Sequence, residues 1–268
     1  MGVSDINSLL EDIKSVDKIV HNGKSAYQVK YLDETIFPNY DDWTGAPGAK
    51  KLIAGDMNAG FFGEVPSEDF ISGDEITKLA FGATNGYSKN LQEPWLKFAY
   101  KGKVQFIAKK VVRGRVSYQE LLERNLVYGD KTFVERGLKY KIRLIKGVAD
   151  GVDPRDNSLG AEAAHYSEWN QLMLPIHEQA PDKWEKPEFV ESDLKSWNVN
   201  YTDADLETAF YQNDNKPTKP GLGALCQDMV VRGVQCPESL RITDKSETEI
   251  GTVVKMLTGW RPVLEVVS

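Results

Sequence analysis

Residues 258–267 read TGWRPVLEVV, bulky and apolar side chains in alternation around a single proline. Period two puts Trp260, Pro262 and Leu264 on one face of a strand and Arg261, Val263 and Glu265 on the other. Pro262 has no N–H to give to a ladder, so it belongs at an edge or a bulge. Arg261, beside Trp260, is expected to pair with an internal carboxylate and tie the strand into its sheet. A strand this late in a chain pairs most easily beside an early one, bringing the ends of its domain together.

Two hairpins offer themselves as partners. In "WLKFAY–KGK–VQFIAKKVV", residues 95–112, runs of β-formers flank a glycine-centred turn, and the lysines are expected on the wet side. In "KTFV–ERG–LKYKIRLIKG", residues 131–147, Leu138, Tyr140, Ile142 and Leu144 point one way and Lys139, Lys141 and Arg143 the other. The basic set reads as the solvated face of a half-buried antiparallel strand rather than as a ligand patch.

Helical signals are short and well punctuated. Ser4 to about Val20 spaces Ile6, Leu9, Leu10, Ile13, Val16 and Val20 at three and four residues. It predicts an amphipathic helix stopped by Asn22-Gly23, with a stripe that should dock on something. A strand with Tyr27, Val29 and Tyr31 on one face follows. Residues 33–63 are rich in Pro, Gly, Asp and aromatics and read as packed loops, with short helical turns near Ser67 and Ser72. Ser117-x-x-Glu120 and Thr202-x-x-Asp205 are capping signatures, the second ahead of Leu206 and Phe210. Ser167 caps a helix that presents Trp169, Leu172, Met173 and Ile176 on one face and is limited by Pro175. Strands gathered into hairpins, with helices apart from them, indicate an α+β fold. The expected division is an N-terminal helix and loop-rich attachment module over residues 1–90 and an α+β domain over 91–268.

The 268 residues carry a net charge of −7 and are 41% apolar. They can fill a core, and the acidity argues against nucleic acid or an anionic membrane as partner. No apolar run approaches the roughly 20 residues of a membrane span, and the start has neither a secretory signal nor a myristoylation signal, since Ile6 stands at its sixth position. Cys226 and Cys236 are too few for a disulfide scaffold; they are either two reduced small hydrophobes, the preferred reading, or one bridge. No phosphate loop, dinucleotide fingerprint or GxSxG elbow is present. His21, His165 and His177 lack the spacing of a zinc helix and read as locally satisfied. Asp150, Asp153, Asp156 and Asn157 are weak candidates for a cation. They lack the alternate spacing and central glycine of a calcium loop, so a solvated turn is preferred and no cofactor is expected. Trp43, Trp184 and Trp197 read as plugs that fasten loops to a core; the alternative is that Trp184 and Trp197 face a sugar ligand.

The stretches "DMVVRGVQCPESLRI" and "GWRPVLEVV", with Arg232, Gly233, Arg241, Gly259, Trp260, Arg261, Pro262 and Val263, resemble the close of C-type-lectin-like domains of the formylglycine-generating-enzyme type. The resemblance implies a C-type-lectin-like arrangement for residues 91–268, with Trp169, Arg232, Trp260 and Arg261 holding the fold. It does not carry the chemistry: the copper-binding cysteine pair of those oxidases is closely spaced, and Cys226 and Cys236 are ten residues apart.

From about residue 50 onward the chain also resembles tailed-bacteriophage virion proteins. The matching stretches, in the same order, are "GDMNAGFFGEVPSEDFISGDEI", "WLKFAYKGKVQFIAKK", "LVYGDKTFVERGLKYKIRLIKG", "SEWNQLM" and "GWRPVLEVV". The implied role is a non-enzymatic structural protein of the tail, fibre, neck or head surface, made in the host cytoplasm and residing in the virion. Its partners would be other virion proteins and further copies of itself. A module that binds a host glycan or receptor is the alternative, and a glycan hydrolase or copper oxidase the third reading.

Overall fold

In the structure, a computed structural model, residues 40–83, 87–153, 164–178, 196–208, 223–233 and 259–267 are described in full. The backbone alone is described at 13–21, 24–31, 210–211, 217–219, 240–242 and 258. The chain divides into two units, residues 1–40 and 41–268.

In the first unit, β1 (Ile13–His21) pairs antiparallel with β2 (Lys24–Tyr31). The strand at 24–31 agrees with the sequence, but the helix expected over Ser4–Val20 is a strand from Ile13 onward; residues 1–12 lie outside the described residues. The i, i+3, i+7 spacing of Ile13, Val16 and Val20 was misleading. Four β-branched residues crowd this segment, and Asn22-Gly23, read as a helix stop, is also the strongest two-residue hairpin signal. The register, with His21 opposite Lys24, is that of a hairpin.

The second unit is α+β. Its strands are β3 (Ala54–Gly55), β4 (Ala59–Val65), β5 (Trp95–Tyr100), β6 (Lys103–Ala108), β7 (Arg113–Gly114), β8 (Tyr128–Glu135), β9 (Leu138–Arg143), β10 (Phe210–Tyr211), β11 (Pro217–Lys219), β12 (Gly223–Leu225), β13 (Val230–Arg232), β14 (Leu240–Ile242), β15 (Thr258–Trp260) and β16 (Val263–Val267). Seven of them form one antiparallel sheet in the order β3-β4-β5-β6-β16-β9-β8. Five form a mixed sheet, β14-β13-β12-β15-β7, in which β12 and β15 run parallel. Strands β10 and β11 pair separately.

Both expected hairpins are present, and the last strand closes them into one sheet: β16 lies between β6 and β9. Pro262 falls in the break between β15 and β16, where the chain leaves the five-stranded sheet for the seven-stranded one. No ladder donor is needed from it there, while its carbonyl accepts from Ala108 N at 3.1 Å. Because β4 pairs with β5 along its length, residues 59–65 and 95–100 belong to one sheet, and the unit boundary lies at 40–41 rather than at 90–91.

Helices cover both faces of the seven-stranded sheet. On one side lie α1 (Gly73–Phe81) and α2 (Tyr118–Glu123), whose Ile76, Ala80, Tyr118 and Leu121 pack with Trp95, Phe106, Tyr140 and Leu264. On the other lie α3 (Glu168–Leu172) and α4 (Asp203–Leu206), whose Trp169, Leu172 and Leu206 pack with Phe61, Leu96, Phe98 and Ile107. Ser72, Ser117, Ser167 and Thr202 each accept a backbone N–H three residues on, and Ser72–Glu75 and Thr202–Asp205 complete capping boxes; Ser117–Glu120 forms only the first half of one, the Glu120 carboxylate turning to Arg124 instead. Among the described residues no helix is long and apolar enough to cross a membrane.

Two-sided cover corrects the reading of β5. Every one of its residues is buried, Lys97 included, so that lysine is not on a wet face. Leu264 sits fully buried at the middle of β16. Leu264→Ala is expected to lower the unfolding free energy by about 2–5 kcal/mol through the cavity it leaves. Lys139→Ala, on the exposed part of β9, should stay within about 0.5 kcal/mol of the parent. Urea titration of the two variants measures both.

Candidate functional site

β6, β16 and β9 each place a polar side chain on the face turned to α3, and there these residues meet. Gln105 of β6 and Glu265 of β16 are direct cross-strand partners, and Arg143 of β9 is diagonal to Glu265, opposite Val263. Glu168, in the first turn of α3, descends onto the same spot. It is placed by the Ser167 cap and by the bond from Trp169 N to Lys146 O, 3.1 Å.

The Arg143 guanidinium donates through Nε to Glu265 at 3.0 Å, through Nη1 to Glu168 at 2.8 Å and through Nη2 to Glu168 at 2.6 Å. Nη2 also donates to Gln105 Oε1 at 2.5 Å, and Nη1 to its neighbour's carbonyl, Leu144 O, at 3.0 Å. Glu168 accepts from Gln105 Nε2 at 2.7 Å and from Lys146 N at 3.0 Å besides. Four N–H donations therefore fill the acceptor sites of one carboxylate. Lys103 donates to the other oxygen of Glu265 at 2.7 Å. Burial opposes the charge of Arg143, but the two carboxylates outweigh it and hold its pKa above the ordinary value. Burial likewise opposes the Glu265 charge, and Lys103 and Arg143 overcome it, so that carboxyl lies below its usual range.

Above this network opens a cleft of about 300 Å³, rimmed by Tyr100, Lys101, Lys103, Lys146 and Gln227. Its cations are already engaged. Lys101 reaches Asp150 at 2.8 Å, Lys146 donates to the same carboxylate, and Lys103 holds Glu265. Those two lysines hold the Asp150 pKa down at about 2. The Tyr100 hydroxyl is raised by burial and by the nearby Glu168 and Asp150. The Glu168 carboxylate and the Arg143 guanidinium thus use their hydrogen bonds to join β6, β9, β16 and α3 to one another.

A second buried pair serves the opposite face. Lys97 and Asp42, both 0% exposed, meet at 2.6 Å. Lys97 also donates to Ala49 O at 2.7 Å and lies 4.9 Å from the centre of the Phe62 ring. Thr44 donates to Asp42 from N at 2.7 Å and from Oγ1 at 2.6 Å. Burial acts against both charges. It leaves the Lys97 pKa lowered, whereas for Asp42 the bonds from Lys97 and Thr44 prevail and its pKa is lowered too.

The fold-holding residues expected from the sequence do come together. Trp169 is buried, with the Arg232 and Arg261 guanidiniums 5.7 Å and 5.8 Å from its ring centre. Arg232 donates to Gly147 O at 2.6 Å and to Asn170 Oδ1 at 2.5 Å. At Gly233, with φ +68°, any β-carbon would stand 2.9 Å from the Trp169 ring. Trp260 is buried edge-on to Phe81, 5.1 Å between centres. Arg261 differs from expectation: its hydrogen-bond acceptor is the Leu206 carbonyl rather than a carboxylate. Glu207, committed to Lys89, Asn90 and Val111 N, reaches Arg261 only through its field. Burial pushes the Arg261 guanidinium down to about 10.

The remaining candidates do not converge. Asp150 is held by lysines, Asp153 is exposed, and Asp156 lies outside the described residues. Among the described residues no three His, Cys, Asp or Glu side chains gather as metal ligands. Trp197 is partly buried, 6.5 Å from Phe98; Trp184 lies outside the described residues. Trp43 is 72% exposed, so it does not plug its loop onto the core. His177 is buried with Nε2 3.3 Å from Asp203. Cys226 is a buried free thiol whose pKa burial raises, and Cys236 lies outside the described residues.

Arg143 therefore does not share the solvated face of Lys139 and Lys141, Lys97 does not lie on a wet side, and the sequence reading does not single out Gln105, Glu168 or Asp42. A usable signal existed: a single polar residue inside "WLKFAY", "VQFIA" or "VLEVV" marks a site where the apolar run needs a polar partner. Compared with known protein families, characterised proteins and solved structures, the chain matches none of them.

Arg143→Met leaves the buried Glu168 without its cation and Glu265 with Lys103 alone, and should cost about 3–5 kcal/mol in urea unfolding. The pH dependence follows from the lowered pKa values of Asp42 and Glu265. Their contribution is complete above the ordinary carboxylate range and is lost as pH falls through it toward the lower folded values. The urea midpoint should thus stay level from neutral pH to about pH 5 and drop below that, mostly beneath about pH 4, and Asp42→Asn should flatten that drop.

Proposed function

We propose that this chain is a non-enzymatic structural component of a tailed-bacteriophage virion, assembling with other virion proteins on the tail, neck, fibre or head surface. Residues 91–268 would supply most of a C-type-lectin-like body. The observation that carries the reading is how buried charge is used. Arg143 joins β9, β16, β6 and α3, and Lys97 joins β5 to the loop at 42–49, so these groups lock a frame together. The stretches that resemble virion proteins coincide with that frame: 55–76 holds the end of β3, β4 and the start of α1, 95–110 β5 and β6, 126–147 β8 and β9, 167–173 α3, and 259–267 β16. A body built to transmit force and hold a lattice needs such rigidity more than it needs a reactive cleft.

One observation favours a second reading, carbohydrate binding: Trp43 presents a large exposed indole surface, the kind of group on which a sugar ring packs. A glycan array run with and without EDTA addresses it, and absence of binding in both conditions removes it. For the leading reading, particles assembled without this gene product should lack a defined piece of density in electron micrographs. Particles of unchanged density and infectivity would overturn it.

A further inference from the structure

The two edges of the seven-stranded sheet are unlike. At one side β3 is two residues long, the usual way of blunting an edge; at the other β8 runs for eight residues without a proline. Val134 on β8 is 67% exposed, and Phe133 is half-buried, stacked on Tyr140 at 5.2 Å.

The hairpin turn decides which backbone groups face outward. Arg136 and Gly137 have φ of +50° and +80°, a type I′ turn, which makes Glu135 and Leu138 a hydrogen-bonded pair. Alternation then directs Phe133 inward to Tyr140 and leaves the N–H and C=O groups of Thr132 and Val134 pointing away from the sheet. We infer that β8 pairs antiparallel with β8 of a second copy about a two-fold axis through Phe133, joining two seven-stranded sheets into one of fourteen.

The side chains select that partner and that register. With Phe133 opposite Phe133, Lys131 meets Glu135 of the other copy and Thr132 meets Val134. One face thus gains an aromatic pair between two ion pairs, and the other gains two pairs of β-branched residues. Thr132 and Val134 exchange four backbone hydrogen bonds across the axis. Centring on Thr132 would put Lys131 against Phe133 and Asp130 against Val134. Centring on Val134 would put Phe133 against Glu135. Both set a charge against an apolar group. Lys131 and Glu135 form no ion pair with any described residue of their own chain, so both are available. The pairing rests on this edge and not on a place in a particle.

The test uses the purified full-length chain. Light scattering across a wide range of concentration should show a mass rising from 30.1 kDa to twice that value. Hydrogen exchange at Thr132 and Val134 should slow as the dimer forms. Glu135→Lys sets lysine against lysine twice per dimer and should weaken association by about tenfold or more. Adding Lys131→Glu to that variant should restore it, which a merely misfolded variant would not do. A chain that stays monomeric throughout overturns the inference. So does a dimer indifferent to Glu135→Lys, or edge amides protected only by a different protein. Incorporation into particles is scored separately, so a monomer that still assembles defeats this pairing alone, and a dimer absent from particles defeats the virion reading alone.

Discussion

The frame depends on one guanidinium. Arg143 reaches Glu265, Glu168 and Gln105 at once, and with them joins three adjacent strands and the helix laid over them. The constraint comes from burial. Helices on both faces of the central sheet leave β6 and β16 no wet side, so any polar group there must find its partner within the protein. Glu265 by itself would be an expense in that position; with Arg143 and Lys103 it becomes a specific joint.

Such joints contribute more to specificity than to net stability, because the desolvation of each ion offsets most of the attraction. Their value lies in register. Sliding β16 by one residue would turn Glu265 to the opposite face and leave Arg143 and Glu168 without it. The Lys97–Asp42 pair acts alike on the other face, holding a segment with little regular structure against β5. Trp169, flanked by Arg232 and Arg261, is a third fastening, and it links α3 to β13 and to the crossing between the sheets. All three join residues far apart in sequence, as a rigid body with long connections requires.

Local features were largely legible. The hairpins at 95–108 and 128–143, the caps at Ser72, Ser117, Ser167 and Thr202, and the alternating faces of the terminal strand all follow from spacing and turn chemistry. So does the interruption at Pro262, because a missing N–H is a local fact. The first unit shows the limit of such reading. A helical spacing of apolar residues and a hairpin turn signal compete between Ile13 and Gly23, and in the structure the turn and the β-branched residues prevail.

Within the second unit the sequence by itself determined the two central hairpins, the helix caps and the terminal strand with its break at Pro262, while residues 54–65, which read as loop, form β3 and β4. Only the tertiary structure decided which charges are buried. Period two says that Arg143 opposes Tyr140 and Ile142, but not whether its own face is wet. That depends on α3 and the 223–230 segment arriving from far along the chain to cover it. Alternation is encoded between neighbours, whereas the dielectric around a side chain is set by whatever layer packs over it.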